Sequence, residues 1–236
     1  MEQITLRENF IQVSGNGLKA SFGGSQEWFT DDGLKNIKAQ GCGVISSVDT
    51  VLYLSGVSII SIDDYRCYIE QFLRETRFAK FFLREFQIRK YDNNPVAIGI
   101  IPIQMSRYLN KRMKIFDSQL RFRWNGFCGH KNMYFKIKEM LYKDFPVIWS
   151  LYSPKNQIKL YTRTTDGGFV FNGISTNNHY VTITGIIEDE SQTRLHERMI
   201  EVSSWGKCYY IDYDEYLVYV GSSWTSRYCS NILILK

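Results

Sequence analysis

The sequence predicts an α+β fold, with a mainly helical N-terminal half (1–145) and a β-rich C-terminal half (146–236) in one domain. From Cys42 to Lys143 apolar residues recur at three- and four-residue steps, whereas after Pro146 they alternate with a period of two. Only four prolines and seventeen glycines interrupt 236 residues, with no repeat or low-complexity stretch, so a long linker between two domains is not expected.

The first 35 residues are polar and broken by Gly15, Gly17, Gly23 and Gly24, which reads as strand fragments and loops. Val44, Ile45, Val48, Val51 and Leu52 then form the buried stripe of a helix that starts at Cys42 and stops at Gly56. Ser61, with Asp64 three residues on, marks the start of a second helix whose apolar face is Tyr65, Ile69, Phe72 and Leu73. From Arg74 to Lys90 basic residues interleave with Phe78, Phe81, Phe82, Phe86 and Ile88, which reads as a helix with one apolar and one wet basic face. Ile103–Phe116 and Met133–Lys143 read as helices, and Leu120–Trp124 as a strand. In the second half, strands are expected at 147–151, 158–162, 179–187, 199–205, 209–211 and 217–220. Glu188-Asp189-Glu190-Ser191 should join two of them as a hairpin.

Composition excludes several classes. The net charge of +5 is mild for this length, so nucleic-acid binding is not expected despite the basic stretch. No apolar run approaches the ~20 residues of a membrane span, and the N-terminus lacks a basic-then-apolar secretory pattern. Five cysteines without a Cys-x-x-Cys pair fit a reduced, cytoplasmic setting better than a disulfide framework. Cys128-Gly129-His130 offers two metal-ligand types but no further pair at the usual spacing, so neither metal nor other cofactor is expected.

Two residues carry candidate chemistry. Cys42, in Gln40-Gly41-Cys42-Gly43-Val44, opens a helix, where free backbone N–H groups and the helix dipole favour a thiolate. Its flanking glycines permit a tight entry turn and close approach of a substrate backbone. His179 follows Ser175-Thr176-Asn177-Asn178 and begins the strand Tyr180-Val181-Thr182-Ile183-Thr184-Gly185, where a rigid sheet can hold its ring at a cleft. It lies 137 positions after Cys42, within the roughly 130–150 of papain-like enzymes.

With the later run Ser203-Ser204-Trp205-Gly206, these segments resemble the papain-like cysteine peptidases, in the same order along the chain. The Gly-Cys-Gly start, the His-Tyr-Val-Thr-Ile-Thr-Gly strand and Phe145-Pro146-Val147-Ile148 are most similar to the bacterial branch that includes bacteriocin-processing, double-glycine peptidases. The resemblance implies a papain-like fold and a thiol-dependent hydrolase of a peptide or isopeptide bond, with acyl transfer as a variant of the same chemistry. Cys42 would be the nucleophile and His179 the base, with Ser203 at the orienting position and Trp205 shielding it. The oxyanion-hole position six residues before Cys42 holds Asn36, while Gln40 is two residues before it. Asp189 or Asp212 could orient the ring instead of Ser203. An inactive papain-fold module that binds a peptide or protein is the alternative these replaced supports would also fit.

Overall fold

The computed structural model describes residues 2–15, 21–30, 34–76, 100–114, 119–189 and 197–236. It is a mixed helix and sheet structure built on one large antiparallel sheet. The strands are β1 (Glu2–Thr5), β4 (Phe122–Trp124), β5 (Val147–Tyr152), β6 (Ile158–Arg163), β7 (Phe169–Thr176), β8 (Asn178–Glu188), β9 (Arg198–Ser204), β10 (Lys207–Asp212) and β11 (Ile232–Leu235). They lie in the order β4-β11-β5-β8-β9-β10-β6-β7. β2 (Gln12–Ser14) and β3 (Ile59–Ser61) form a separate parallel pair.

β8 is the axis of the sheet. Its first half pairs with β5, from Tyr152 opposite Asn178 to Val147 opposite Ile183, and its second half pairs with β1. Gly185, read as a break within the strand, marks the change of partner. A register shift lies between Ile183 and Gly185, and a Cβ at Gly185 would come within 3.1 Å of the Ile4 carbonyl oxygen. Val147, Ile148, Trp149, Val181 and Ile183 are fully buried, and one core cluster runs from Ile4 to Leu235.

The helices are α1 (Lys35–Gln40), α2 (Cys42–Leu54), α3 (Ile62–Glu75), α4 (Pro102–Met113), α5 (Met133–Tyr142), α6 (Tyr213–Gly221) and α7 (Trp224–Cys229). α2 ends as expected, with Gly56 in the left-handed region at φ 73°. The Ser61 side chain accepts the Asp64 N–H and starts α3. α4 begins one residue before the expected Ile103, because Pro102 fits the first helical turn and Gln104 Oε1 accepts the Ile101 N–H. Most of the expected basic helix, from 77 to 90, lies outside the described residues, as do 115 and 116.

Three readings are corrected. Residues 217–220 are not a strand but part of α6. The Asp212 carboxylate caps the N–H groups of Asp214 and Glu215, and the buried Tyr213, Tyr216, Tyr219 and Val220 follow helical spacing. β7, of which the sequence reading covers only Ser175 and Thr176, as loop, is an edge strand exposed along its middle, so it lacks a strong apolar alternation. The Ser175–Asn178 loop shrinks to Asn177, with β7 and β8 on either side.

Candidate active site

Cys42 is the first residue of α2, and Gly41 joins it to α1 at φ −82°. The flanking glycines serve packing more than backbone freedom. A Cβ on Gly41 would lie 2.5 Å from the Ile37 carbonyl oxygen, and one on Gly43 would meet Met105 Sδ at 3.1 Å and Tyr180 Cδ2 at 3.3 Å. The start of α2 therefore sits tightly against α1, α4 and the start of β8, where the Cys42 sulfur takes a hydrogen bond from the backbone N–H of Tyr180.

His179 lies opposite Leu151 on β5 and is 6 % exposed. Its Nε2 is 2.7 Å from Ser204 Oγ, and the indole of Trp205 stacks on its ring with centroids 4.4 Å apart at 18°. Trp205 and Gly206 form the two-residue turn between β9 and β10, both at positive φ (49° and 72°). A left-handed tryptophan costs about 1–2 kcal/mol, and here that conformation accompanies an indole laid over the imidazole.

Ser203 does not contact the ring, contrary to expectation. Ser203 is paired with Thr182, so one step along Ser204 stands opposite Val181, which shares a face with His179. Ser203 Oγ instead donates to the Phe22 carbonyl at 2.8 Å. Neither alternative acid replaces it. Asp212 caps α6, and Asp189 is ten residues along the chain, roughly 33 Å of extended strand.

A cleft is lined by Gly24, Gln26, Cys42, Asp49, His179 and Ser204, together with Ile45, Ser46, Tyr180, Ser203 and Trp205. Cys42, His179 and Trp205 thus line the same cleft. Gln40 is half-buried at the end of α1 and is not among the described lining residues. Asn36 belongs to α1, and its side chain lies outside the described set.

Three lining residues were not singled out from the sequence. Gln26 opens a 3₁₀ turn (Gln26–Trp28) capped by Ser25. Its Nε2 donates to the Lys38 carbonyl at 2.8 Å, and its buried Oε1 has no hydrogen-bond partner among the described residues. Asp49 sits two turns after Cys42 on α2, 1 % exposed, and accepts hydrogen bonds from Tyr65 Oη (2.7 Å) and the Gly24 N–H. Gly24 accompanies them. The available signal was the pair Gly23-Gly24 followed by a Ser cap and Gln26, read there only as a loop.

Burial governs the electrostatics. It pushes the Cys42 thiol up, against the pull of the N–H groups of Tyr180, Gly43 and Cys42 itself. It also pushes the His179 imidazole down to about 3. Burial raises the Asp49 carboxyl to about 7, opposed by the hydrogen bonds from Tyr65 and Gly24. Among the described residues no hydrogen bond joins Cys42 to His179, and both shifts favour the neutral forms, against the thiolate that a helix start favours.

The other candidates are structural. His130 Nε2 lies 2.7 Å from the Ser230 carbonyl and 3.1 Å from Tyr216 Oη, and Cys128 is exposed. No group of three or more potential metal ligands occurs among the described residues, and no described helix is long and apolar enough to cross a membrane. His196 lies outside the described residues. Compared with protein-family models, curated proteins and solved structures, the chain has no match.

Proposed function

We propose that this chain is a thiol-dependent acyl hydrolase of papain-like architecture, acting on a peptide or isopeptide bond through Cys42 and His179. The observation that carries the reading is their convergence in one cleft, with Cys42 starting α2 and the His179 ring fixed by Ser204 and Trp205.

In this reading His179 is the tautomer that donates Nε2–H to Ser204 Oγ, 2.7 Å away, which leaves the Nδ1 lone pair for the thiol proton. Burial disfavours separated charge at rest, so proton transfer accompanies attack of sulfur on the carbonyl carbon. The negative oxygen of the tetrahedral intermediate takes hydrogen bonds from the Cys42 backbone N–H and from the second Nε2 hydrogen of Gln26, in place of Gln40. The imidazolium then returns its proton to the leaving amine as the C–N bond breaks, and the thioester is hydrolysed by water that His179 deprotonates.

p-Nitrophenyl acetate tests this without knowledge of the natural substrate. Burst release of p-nitrophenolate should require Cys42 and should fall at least ~100-fold in His179→Ala, the usual scale of a lost general base. A second reading, a peptide-binding module that has lost catalysis, is favoured by the missing Cys42–His179 hydrogen bond and the neutral orienting hydroxyl of Ser204. Acylation of the wild type no faster than that of a free thiol would select it.

A further inference from the structure

The loop Phe22–Gln26 is held from four sides. The Gly23 N–H donates to the Ile11 carbonyl at 2.6 Å, and the Phe22 N–H to that of Gly206 at 2.9 Å. The Gly206 N–H donates back to the Gly24 carbonyl at 2.9 Å, and Ser203 Oγ to that of Phe22. The fourth hold is a buried side-chain pair: Asp49 of α2, which lines the cleft, receives the Gly24 N–H on both oxygens (3.2 and 3.1 Å) and the Tyr65 hydroxyl of α3 at 2.7 Å.

No space remains for a side chain at either glycine. A Cβ at Gly24 would lie 2.0 Å from Tyr65 Oη, and one at Gly23 would lie 2.1 Å from Ser203 Oγ and 2.7 Å from Asp49 Oδ2. Gly23 is also left-handed, at φ 75°. A buried carboxyl with only these hydrogen bonds is a poor way to stabilise a helix interior, because desolvation outweighs a modest net gain per bond. Its carboxyl reaches across to a loop whose Gln26, two residues after Gly24, lines the same cleft as Cys42. Oxyanion donors act only when held to within a fraction of an ångström.

We infer that Asp49 and Tyr65 are positioning residues, a buried clamp that holds Gly24 and thereby sets Gln26 over Cys42 for oxyanion stabilisation. The inference rests on the acyl-hydrolase reading above. It predicts a loss confined to reactions that build an oxyanion. Iodoacetamide alkylates sulfur by displacement at a saturated carbon and forms none. p-Nitrophenyl acetate acylates sulfur through a tetrahedral oxyanion, the ester C–O bond then breaking to release p-nitrophenolate.

The test is the ratio of acylation to alkylation rate at Cys42 in full-length chains. Gln26→Ala should lower the ratio about 100-fold, the scale of a lost oxyanion donor. Asp49→Ala should lower it at least tenfold, and Asp49→Asn, which still accepts from Gly24 and Tyr65, should recover most of that loss. Tyr65→Phe removes only the hydroxyl, keeps the aromatic packing, and should lower the ratio about threefold, so it carries the test if Asp49→Ala fails to fold. Because the clamp acts through Gln26, the double variant Gln26→Ala/Asp49→Ala should be no worse than Gln26→Ala. Unchanged ratios in folded Asp49 and Tyr65 variants, or losses that multiply in the double variant, overturn the clamp while leaving the hydrolase reading intact. A wild type that alkylates but never acylates overturns both.

Discussion

Two adjacent serines divide the work around the cleft, and the division follows from strand alternation. Ser204 Oγ meets the His179 ring, whereas Ser203 Oγ ties the Phe22 carbonyl to β9. Ser204→Ala should therefore slow p-nitrophenyl acetate acylation by about three- to tenfold through a less well-oriented ring. Ser203→Ala should act mainly on stability, by about 1 kcal/mol, the scale of one hydrogen bond. Urea unfolding and acylation rates measured on both variants check this, and a larger kinetic loss in Ser203→Ala would reverse the assignment. At this scale the sequence disclosed residue types but not directions. The places of Cys42, His179 and Trp205 were legible because a helix start, a strand mouth and a Trp-Gly turn each leave a local pattern. Which serine faces the ring depended on the pairing of β9 with β8, which is set by the register of Thr182 with Ser203 and by the irregularity at Gly185.

At the scale of elements, the tight seating of α2 places Cys42, and the two glycines beside it should differ in tolerance. A Cβ on Gly41 collides with backbone, the Ile37 carbonyl at 2.5 Å and its Cα at 3.0 Å, neither of which can swing aside. A Cβ on Gly43 meets the flexible Met105 thioether at 3.1 Å and the edge of Tyr180 at 3.3 Å, which can give by a few tenths of an ångström. Gly41→Ala should therefore destabilise by about 2 kcal/mol or more, and Gly43→Ala by about 1 kcal/mol or less. Urea midpoints decide the order, and equal midpoints would count against a rigid α1–α2 joint. The elements that the sequence predicted well are those whose burial repeats with one period, such as α2, α3, α5 and β5. α6 was misread because its tyrosines and valines favour strands in isolation, while the Asp212 cap and the spacing of Tyr213, Tyr216 and Tyr219 decide for helix. β7 was missed because an exposed edge strand leaves almost no hydrophobic pattern to read.

For the molecule as a whole, the cleft makes a pH-dependent contribution to stability in which two buried groups oppose each other. Asp49 keeps its proton to about pH 7 in the folded state, against an ordinary carboxyl value of 3.8. Raising the pH from about 4 to 7 therefore releases its proton from the unfolded chain alone and favours unfolding. His179 stays neutral down to about pH 3 when folded, against an ordinary value of 6.5. Lowering the pH from about 6.5 to 3 therefore protonates the unfolded chain alone and also favours unfolding. Each effect has a slope of about 1.4 kcal/mol per pH unit with opposite sign, so between about pH 4 and 6.5 they nearly cancel. Removing one group should expose the other. Relative to wild type, Asp49→Asn should gain stability on going from pH 4.5 to 6.5, and His179→Ala should lose it. Each change should be about 2 kcal/mol, allowing for incomplete titration at the ends of the window. Both side chains are nearly inaccessible to solvent, 1 % and 6 % exposed, so screening by water does not erase the effect. Because every other titrating group is common to the three proteins, the comparison is made on differences in unfolding free energy from urea titrations at the two pH values. Parallel lines for the three proteins would mean that neither group is held neutral by burial. The cleft would then carry charge at rest, and the thiolate–imidazolium form of Cys42 and His179 would become the starting state for catalysis.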